Sequence, residues 1–308
     1  MPIRIAIVGF GKIAGDQHLP AIEGDGRFKL VAVASRNLPA DLSVPGCRDI
    51  GELVAAMKGE VDAVAICTPP SVRHSIAVEA LDAGLDVMLE KPPAATLGEI
   101  DDLATRAKDA GRVLFAAWHS QAAAGVEAAR GALAGHRVTG LRIEWHEDVR
   151  KWHPGQDWIW EPSGFGVFDP GINALSICTR ILPQPLFVSA ATLFVPANKQ
   201  APIAADVAFA GADGAMSASL DWRRTQGEHW TVRVETDGGP TVLLSQGGAK
   251  LEVDGAAQDL PEQGEYPGLY ARFAQLVGRR ESAVDREPLR IVADAFLVAR
   301  REAVEPFI

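Results

Sequence analysis

The chain has 308 residues, a formal net charge of −10, 47% hydrophobic and 23% charged residues. That length favours two domains of ordinary composition, each able to form a core. The acidic balance argues against DNA, RNA or an anionic membrane surface as the main partner. No apolar stretch approaches the roughly 20 residues that span a bilayer.

The first third alternates apolar runs with helical patterns. Ile3–Val8 predicts a buried strand, followed by a glycine turn and a helix containing 18–22. Strands follow over 29–34, 61–67, from 86 to 89, and over 112–118, with helices over 51–57, 71–83 and 96–110 between them. Ser71 fits an N-cap, and Thr96 with Glu99 has capping-box spacing. Near-continuous apolar strands in βαβ alternation predict a parallel, doubly wound sheet with helices on both faces. The pattern ends near Trp118-His119, which places a boundary between domains 1–119 and 120–308.

Beyond it the pattern changes. A helix is expected over 126–133, a long strand over 138–149, then a Trp- and Pro-rich loop to Phe168. A helix over 170–182 would have Asp169 as N-cap and Pro170 at its first position. From 186 to about 255 the chain reads as an open, mostly antiparallel sheet, with turn signals at 211–214 and 237–239. Helices over 269–277 and 289–302 close the chain, the last free to pack back on either domain. The whole is an α/β protein.

The N-terminus lacks a basic region ahead of its apolar run and does not read as a signal peptide. Cys47, Cys67 and Cys178 have no metal-ligand spacing and read as buried reduced thiols, so a cytoplasmic location is expected. The cluster of His146, Glu147, Asp148 and His153 has no zinc spacing either, and no metal is expected.

Gly9-Phe10-Gly11-Lys12-Ile13-Ala14 matches G-x-G-x-x-A between a strand and a helix. Gly9 permits the tight turn, Gly11 the close approach of a pyrophosphate, and Ala14 close helix packing, as in a Rossmann dinucleotide site. Lys12 and Ile13 border the phosphates, and Thr68-Pro69 follows the third strand at the same sheet edge. An NAD-preferring site carries Asp or Glu at the end of the second strand. Here Ser35-Arg36 stands there, which suits a 2′-phosphate, so NADP is expected to be preferred and NAD still admitted. Glu90-Lys91-Pro92 ends the fourth strand at the ligand edge, where Lys91 can hydrogen-bond a substrate oxygen and share in proton transfer.

These motifs, with Gly166-x-x-Asp169-x-Gly171-x-Asn173, resemble the Gfo/Idh/MocA oxidoreductases over essentially the whole length. Within that family the chain looks most like bacterial aldose 1-dehydrogenases acting on L-arabinose and D-galactose. The closer match lies in Asp16-Gln17-His18-Leu19-Pro20, Trp118-His119-Ser120, Glu147-Asp148-Val149-Arg150, Trp152-His153-Pro154-Gly155-Gln156 and Asp169-Pro170-Gly171-Ile172-Asn173. The resemblance implies an N-terminal Rossmann domain, including Glu90 and Lys91 at the cofactor, and a C-terminal α/β domain whose exposed sheet face can form a homodimer. It implies oxidation of the C1 hydroxyl of a cyclic aldose to a lactone.

One departure matters. Many family members carry Asp and His four residues apart where this chain has Asp169 and Asn173. An amide cannot act as a base, so Asp169 and Lys91 are expected to handle the proton, with Asn173 positioning the hydroxyl. His119, Glu147, Trp152 and His153 are expected to contact the sugar. The alternatives are a cyclitol or other sugar dehydrogenase acting away from C1, and a non-catalytic sensor of dinucleotide and sugar.

Overall fold

The computed structural model describes residues 1–40, 42–211, 216–262 and 264–308. The chain divides into two compact units, Met1–His119 with Tyr266–Arg286, and Ser120–Glu265 with Glu287–Ile308. The first unit therefore includes a segment that returns from far along the sequence.

In the first unit, β1 (Ile3–Val8), β2 (Phe28–Ala34), β3 (Gly46–Cys47), β4 (Ala63–Ile66), β5 (Asp86–Glu90) and β6 (Leu114–Ala117) form a parallel sheet in the order β3-β2-β1-β4-β5-β6. The order reverses beside β1, and a crevice for ligands forms outside the strand ends at such a point. The helices between are α1 (Leu19–Glu23), α2 (Ile50–Ala56), α3 (Pro70–Asp82) and α4 (Leu97–Asp109). Thr96 caps α4 by accepting from the Glu99 N–H at 3.2 Å, while the Glu99 carboxylate reaches back one residue further than expected, to the Ala95 N–H at 2.9 Å. Ser71 is not a cap: Pro69 holds that position and the helix starts at Pro70, whose missing N–H costs nothing there. The turn after the glycine loop is π-helical over Ala14–His18 before α1 begins.

The returning helix α8 (Glu265–Arg279) buries Tyr266, Leu269, Tyr270, Phe273 and Leu276 at helical spacing against Ile5, Ile7, Val33 and Phe115 of the sheet. Each such side chain contributes about 1.5–3 kcal/mol through burial. Arg280 then clamps Asp86 at the start of β5 with bonds of 2.6 and 2.9 Å.

In the second unit, nine strands form one mixed sheet among the described residues, in the order β14-β13-β12-β11-β7-β10-β9-β8-β15. They are β7 (Val138–His146), β8 (Val188–Pro196), β9 (Ala204–Phe209), β10 (Met216–Asp221), β11 (His229–Thr236), β12 (Val242–Ser245), β13 (Lys250–Val253), β14 (Ala256–Ala257) and β15 (Ala299–Val304). Most neighbours are antiparallel, but β10 runs parallel to β7 and β15 parallel to β8. On β7, Leu141, Ile143 and Trp145 are buried, whereas Arg142 is exposed and Glu144 and His146 half-buried. This is the period-2 alternation of a sheet with one covered face. The helices of this unit are α5 (Val126–Leu133), α6 (Val149–Trp152), α7 (Phe168–Ile181) and α9 (Glu287–Val298). Gly171 lets α7 approach β10, because a Cβ there would lie 2.6 Å from Leu220.

Three expectations change here. The long strand stops at His146 and the chain turns into α6, capped by Asp148 accepting from the Arg150 N–H at 2.9 Å. The last helix ends at Val298, and 299–304 becomes an edge strand because pairing with β8 satisfies its backbone. Asp169 is not an N-cap: Val167 is, so Asp169 lies inside the first turn of α7. The turn signal at 211–214 falls largely on residues outside those described.

Candidate active site

Every candidate of the first unit lies at or just beyond a strand end on one edge of the parallel sheet. After β1, Gly9 has φ +88°, and a Cβ there would sit 2.8 Å from the Thr68 methyl and 2.9 Å from its backbone nitrogen. Gly9 is thus required by the protein itself. Gly11 is different, since a Cβ there would meet no described atom within 4 Å. The space kept beside it suits a pyrophosphate, with the following helical turn offering its N–H groups. The Thr68 hydroxyl is buried with no hydrogen-bond partner among the described residues. Ile13 is exposed, and Lys12 forms an exposed ion pair with Asp16. After β2, Ser35 accepts from the Asn37 N–H at 3.2 Å and Arg36 is exposed, with no carboxylate at the strand end. Pro69 caps α3 at the next strand end. These residues fit a dinucleotide: open space at Gly11, a cation at Arg36, and an orphaned hydroxyl at Thr68.

Glu90 ends β5, and its carboxylate points inward at 3% exposure. Oε1 accepts from Tyr266 Oη at 2.6 Å and lies 3.2 Å from His18 Nε2, while Oε2 accepts from the Lys91 N–H at 2.6 Å. Burial disfavours its charge, yet the bond and charge of His18, with His119 and Tyr266, outweigh burial and hold the carboxyl down at about 2. Burial likewise opposes a charge on His18, but Cys67, Tyr270 and Glu90 raise its pKa well above the ordinary imidazole value. The Tyr270 hydroxyl, 2.8 Å from His18 Nδ1, is pushed by burial up to about 12 and stays protonated. His119 stacks on Tyr266 with ring centroids 5.4 Å apart. Buried Arg73 donates to the Glu90 carbonyl at 2.6 Å and also to the carbonyls of Pro92 and Thr68. The expected cofactor contact Glu90 therefore commits its side chain to this network, and Lys91 follows it on the strand end.

In the second unit, Asp169 is 3% exposed in the first turn of α7, where the helix dipole favours a carboxylate. His153, one residue past α6, places Nε2 3.5 Å from Asp169 Oδ2 and Nδ1 3.3 Å from Gln156 Oε1. An amide oxygen only accepts, so Nδ1 carries a proton towards Gln156 and Nε2 faces the carboxylate. Asn173 lies one turn beyond Asp169 on the same helix face. Glu147 is 4% exposed, and its two oxygens accept from Trp222 Nε1 at 3.2 Å and Trp230 Nε1 at 3.0 Å. It braces two indoles. Trp230 in turn packs on Trp152 at 5.5 Å and Trp145 at 5.9 Å, and Trp222 packs on His153 at 5.2 Å. Trp152 remains 36% exposed. The His146, Glu147, Asp148 and His153 group is dispersed: His146 bonds Ser219 at 3.1 Å and Asp148 caps α6.

Arg73, Tyr266, Tyr270, Trp222 and Trp230 were not singled out from sequence, and His18 and Gln156 figured there only within the stretches that carry the resemblance, with no site role. His18 carried the clearest signal, as a histidine leading into the apolar helical positions Leu19, Ala21 and Ile22. The others depend on contacts between residues up to 252 positions apart.

A family model described as an oxidoreductase family with an NAD-binding Rossmann fold matches residues 3–118. The chain is 45% identical over 307 residues to galactose 1-dehydrogenase from Pseudomonas fluorescens, covering 99% of both. The crystal structure of D-galactose-1-dehydrogenase from Rhizobium etli superposes with a TM-score of 0.93 at 50% identity, covering 100% of this chain and 98% of that one. A 3-ketoreductase from Actinomadura kijaniata, in complex with NADP, shares the fold at a TM-score of 0.85 and 16% identity over 99% and 100% of the two chains. With the glycine loop, the Glu90-Lys91-Pro92 strand end and similarity running end to end, this chain belongs to the Gfo/Idh/MocA oxidoreductases and is an NAD(P)-dependent dehydrogenase.

Proposed function

We propose that the protein is an aldose 1-dehydrogenase that oxidises the C1 hydroxyl of cyclic L-arabinose, D-galactose or D-fucose to the aldonolactone, with NADP preferred and NAD accepted. The observation that carries this reading is the end-to-end similarity to two galactose 1-dehydrogenases. The three sugars share the ring configuration that one site would read and differ at C5.

A bound nicotinamide dinucleotide supplies the hydride acceptor, so that aldose and oxidised cofactor give lactone, reduced cofactor and one proton. Gly9, Gly11, Lys12, Ile13, Thr68 and Pro69 would hold its phosphates and nicotinamide side, and Ser35 with Arg36 would hold the 2′-phosphate. Asp169 accepts the proton of the C1 hydroxyl. His153 Nε2, 3.5 Å from its carboxylate, shares that proton, with Gln156 fixing the tautomer. Lys91 donates a hydrogen bond to a sugar oxygen and stabilises the negative charge that develops there. Asn173 and His119 orient neighbouring hydroxyls, and Trp152 offers a face to the sugar C–H groups. Glu147 acts through Trp222 and Trp230. No metal is needed, because the ring oxygen stabilises the positive charge that develops at C1.

Initial-rate kinetics with NADP and NAD against free sugars test this. The expected result is turnover of L-arabinose, D-galactose and D-fucose, with the higher kcat/KM for NADP. Failure of every aldose to reduce either cofactor overturns it, and faster turnover of inositol than of any aldose moves the reaction away from C1.

A further inference from the structure

The main chain around Lys91 is held on both sides by buried charged groups. Its own N–H bonds the Glu90 carboxylate at 2.6 Å, and the carbonyls of Glu90 and Pro92 accept from Arg73, itself 3% exposed. The carboxylate is fixed in turn by Tyr266 at 2.6 Å and His18 at 3.2 Å, and His18 by Tyr270 at 2.8 Å. His18 is the last residue of the π-helical turn Ala14–His18, which begins where the glycine loop ends. Such turns are uncommon and recur at functional sites. None of His18, Glu90 or Tyr270 is needed for the bond-making steps above, yet together they place a full carboxylate in the apolar interior. A buried charge of that kind is costly unless every partner is in place.

We propose that Glu90 and His18 are positioning residues for Lys91, and that the His18–Glu90 contact ties the position of that lysine to the dinucleotide loop. Glu90 sets the backbone from which the Lys91 side chain departs. His18 connects that carboxylate to the first turn after Gly9-x-Gly11, so a shift of the loop is felt at the lysine. Tyr266 and Tyr270 complete the clamp as neutral partners. The inference rests on Lys91 acting at the sugar oxygen.

A double-mutant cycle separates positioning from a general structural role. Glu90→Gln leaves one acceptor oxygen where two served three donors, and is expected to lower kcat about 10- to 100-fold, the size of an ångström-scale misplacement. In a Lys91→Ala background the same change is expected to alter kcat by less than about threefold, because residues acting as a unit are non-additive. Equal factors in both backgrounds would overturn the positioning role. Tyr266→Phe, which keeps the charge pair, is expected to follow the same pattern at about two- to fivefold and serves if Glu90→Gln fails to fold. The link to the loop is read without turnover, from NADPH fluorescence in the absence of sugar. His18→Gln is expected to weaken NADPH binding about three- to tenfold, and unchanged binding in folded His18→Gln and Glu90→Gln would overturn the link. A protein that oxidises no aldose, or a Lys91→Ala variant at full activity, refutes the functional reading instead, and the NADPH titration still decides the link.

Discussion

The two units build their candidate site residues in opposite ways. In the first, the backbone does most of it: parallel strands end at one edge, and Gly9, Thr68, Glu90 and Lys91 stand there because of where the strands stop. In the second, side chains do it. Asp169 comes from a helix, His153 from the turn after α6, and Glu147 from the end of β7, and their meaning depends on what each touches. A backbone-built site is specified by short motifs, whereas a side-chain-built site is specified by tertiary contacts that no local spacing encodes.

The sharpest way to break that contrast is at Asp169. If the second unit supplies the proton acceptor, Asp169→Asn should cut kcat about 10³-fold while NADPH affinity, a property of the first unit, stays within about twofold. His153→Gln should cost less than Asp169→Asn, in kcat and not in the KM for sugar. A variant that binds sugar poorly but keeps kcat would make His153 a contact and leave the acceptor role to Asp169 alone.

Glu147 tests the second unit from its scaffold side. Glu147→Gln presents an amide N–H to one of the two indoles that now donate to a carboxylate. Losing a charge-assisted bond and leaving a buried donor unmet costs about 2–3 kcal/mol, or a melting temperature lower by about 5 °C or more for a unit of this size. Sugar KM should rise with Trp222 and Trp230 displaced. Unchanged melting with a large rise in KM would return Glu147 to the sugar, as its position in sequence first implied.

Legibility followed the same division. The long parallel strands, the glycine turn and the Thr96 cap were readable because each is local: an apolar run, a turn that needs Gly9, a hydroxyl three residues before its N–H. The edge strand β15 was not, since 299–304 looks like more helix until β8 is there to pair with it. Asp169 looked like a cap because Pro170 follows it, and only the turn formed by Gly166 and Val167 moves the helix start upstream. The absence of a histidine at 173 was visible. That an imidazole arrives instead from 153 was not, because the 15 residues between it and Asp169 form no element longer than the 3-10 turn Asp157–Trp160 that would fix their distance.

The smallest expected effect lies where the first unit departs from a pure backbone site. The contacts proposed at Gly9 and Gly11 are main-chain groups that NADP and NAD would share, so discrimination between the two would come from the side chains after β2. Arg36 is exposed there and no acidic group opposes a 2′-phosphate. An exposed cation facing a phosphate contributes a modest, salt-sensitive attraction. Arg36→Ala is therefore expected to raise the KM for NADP about tenfold and to leave that for NAD within about twofold, with the difference shrinking as salt is added. Equal losses for both cofactors would mean that Arg36 stacks on the adenine, a face that the two share, and would leave Ser35 as the group that reads the phosphate.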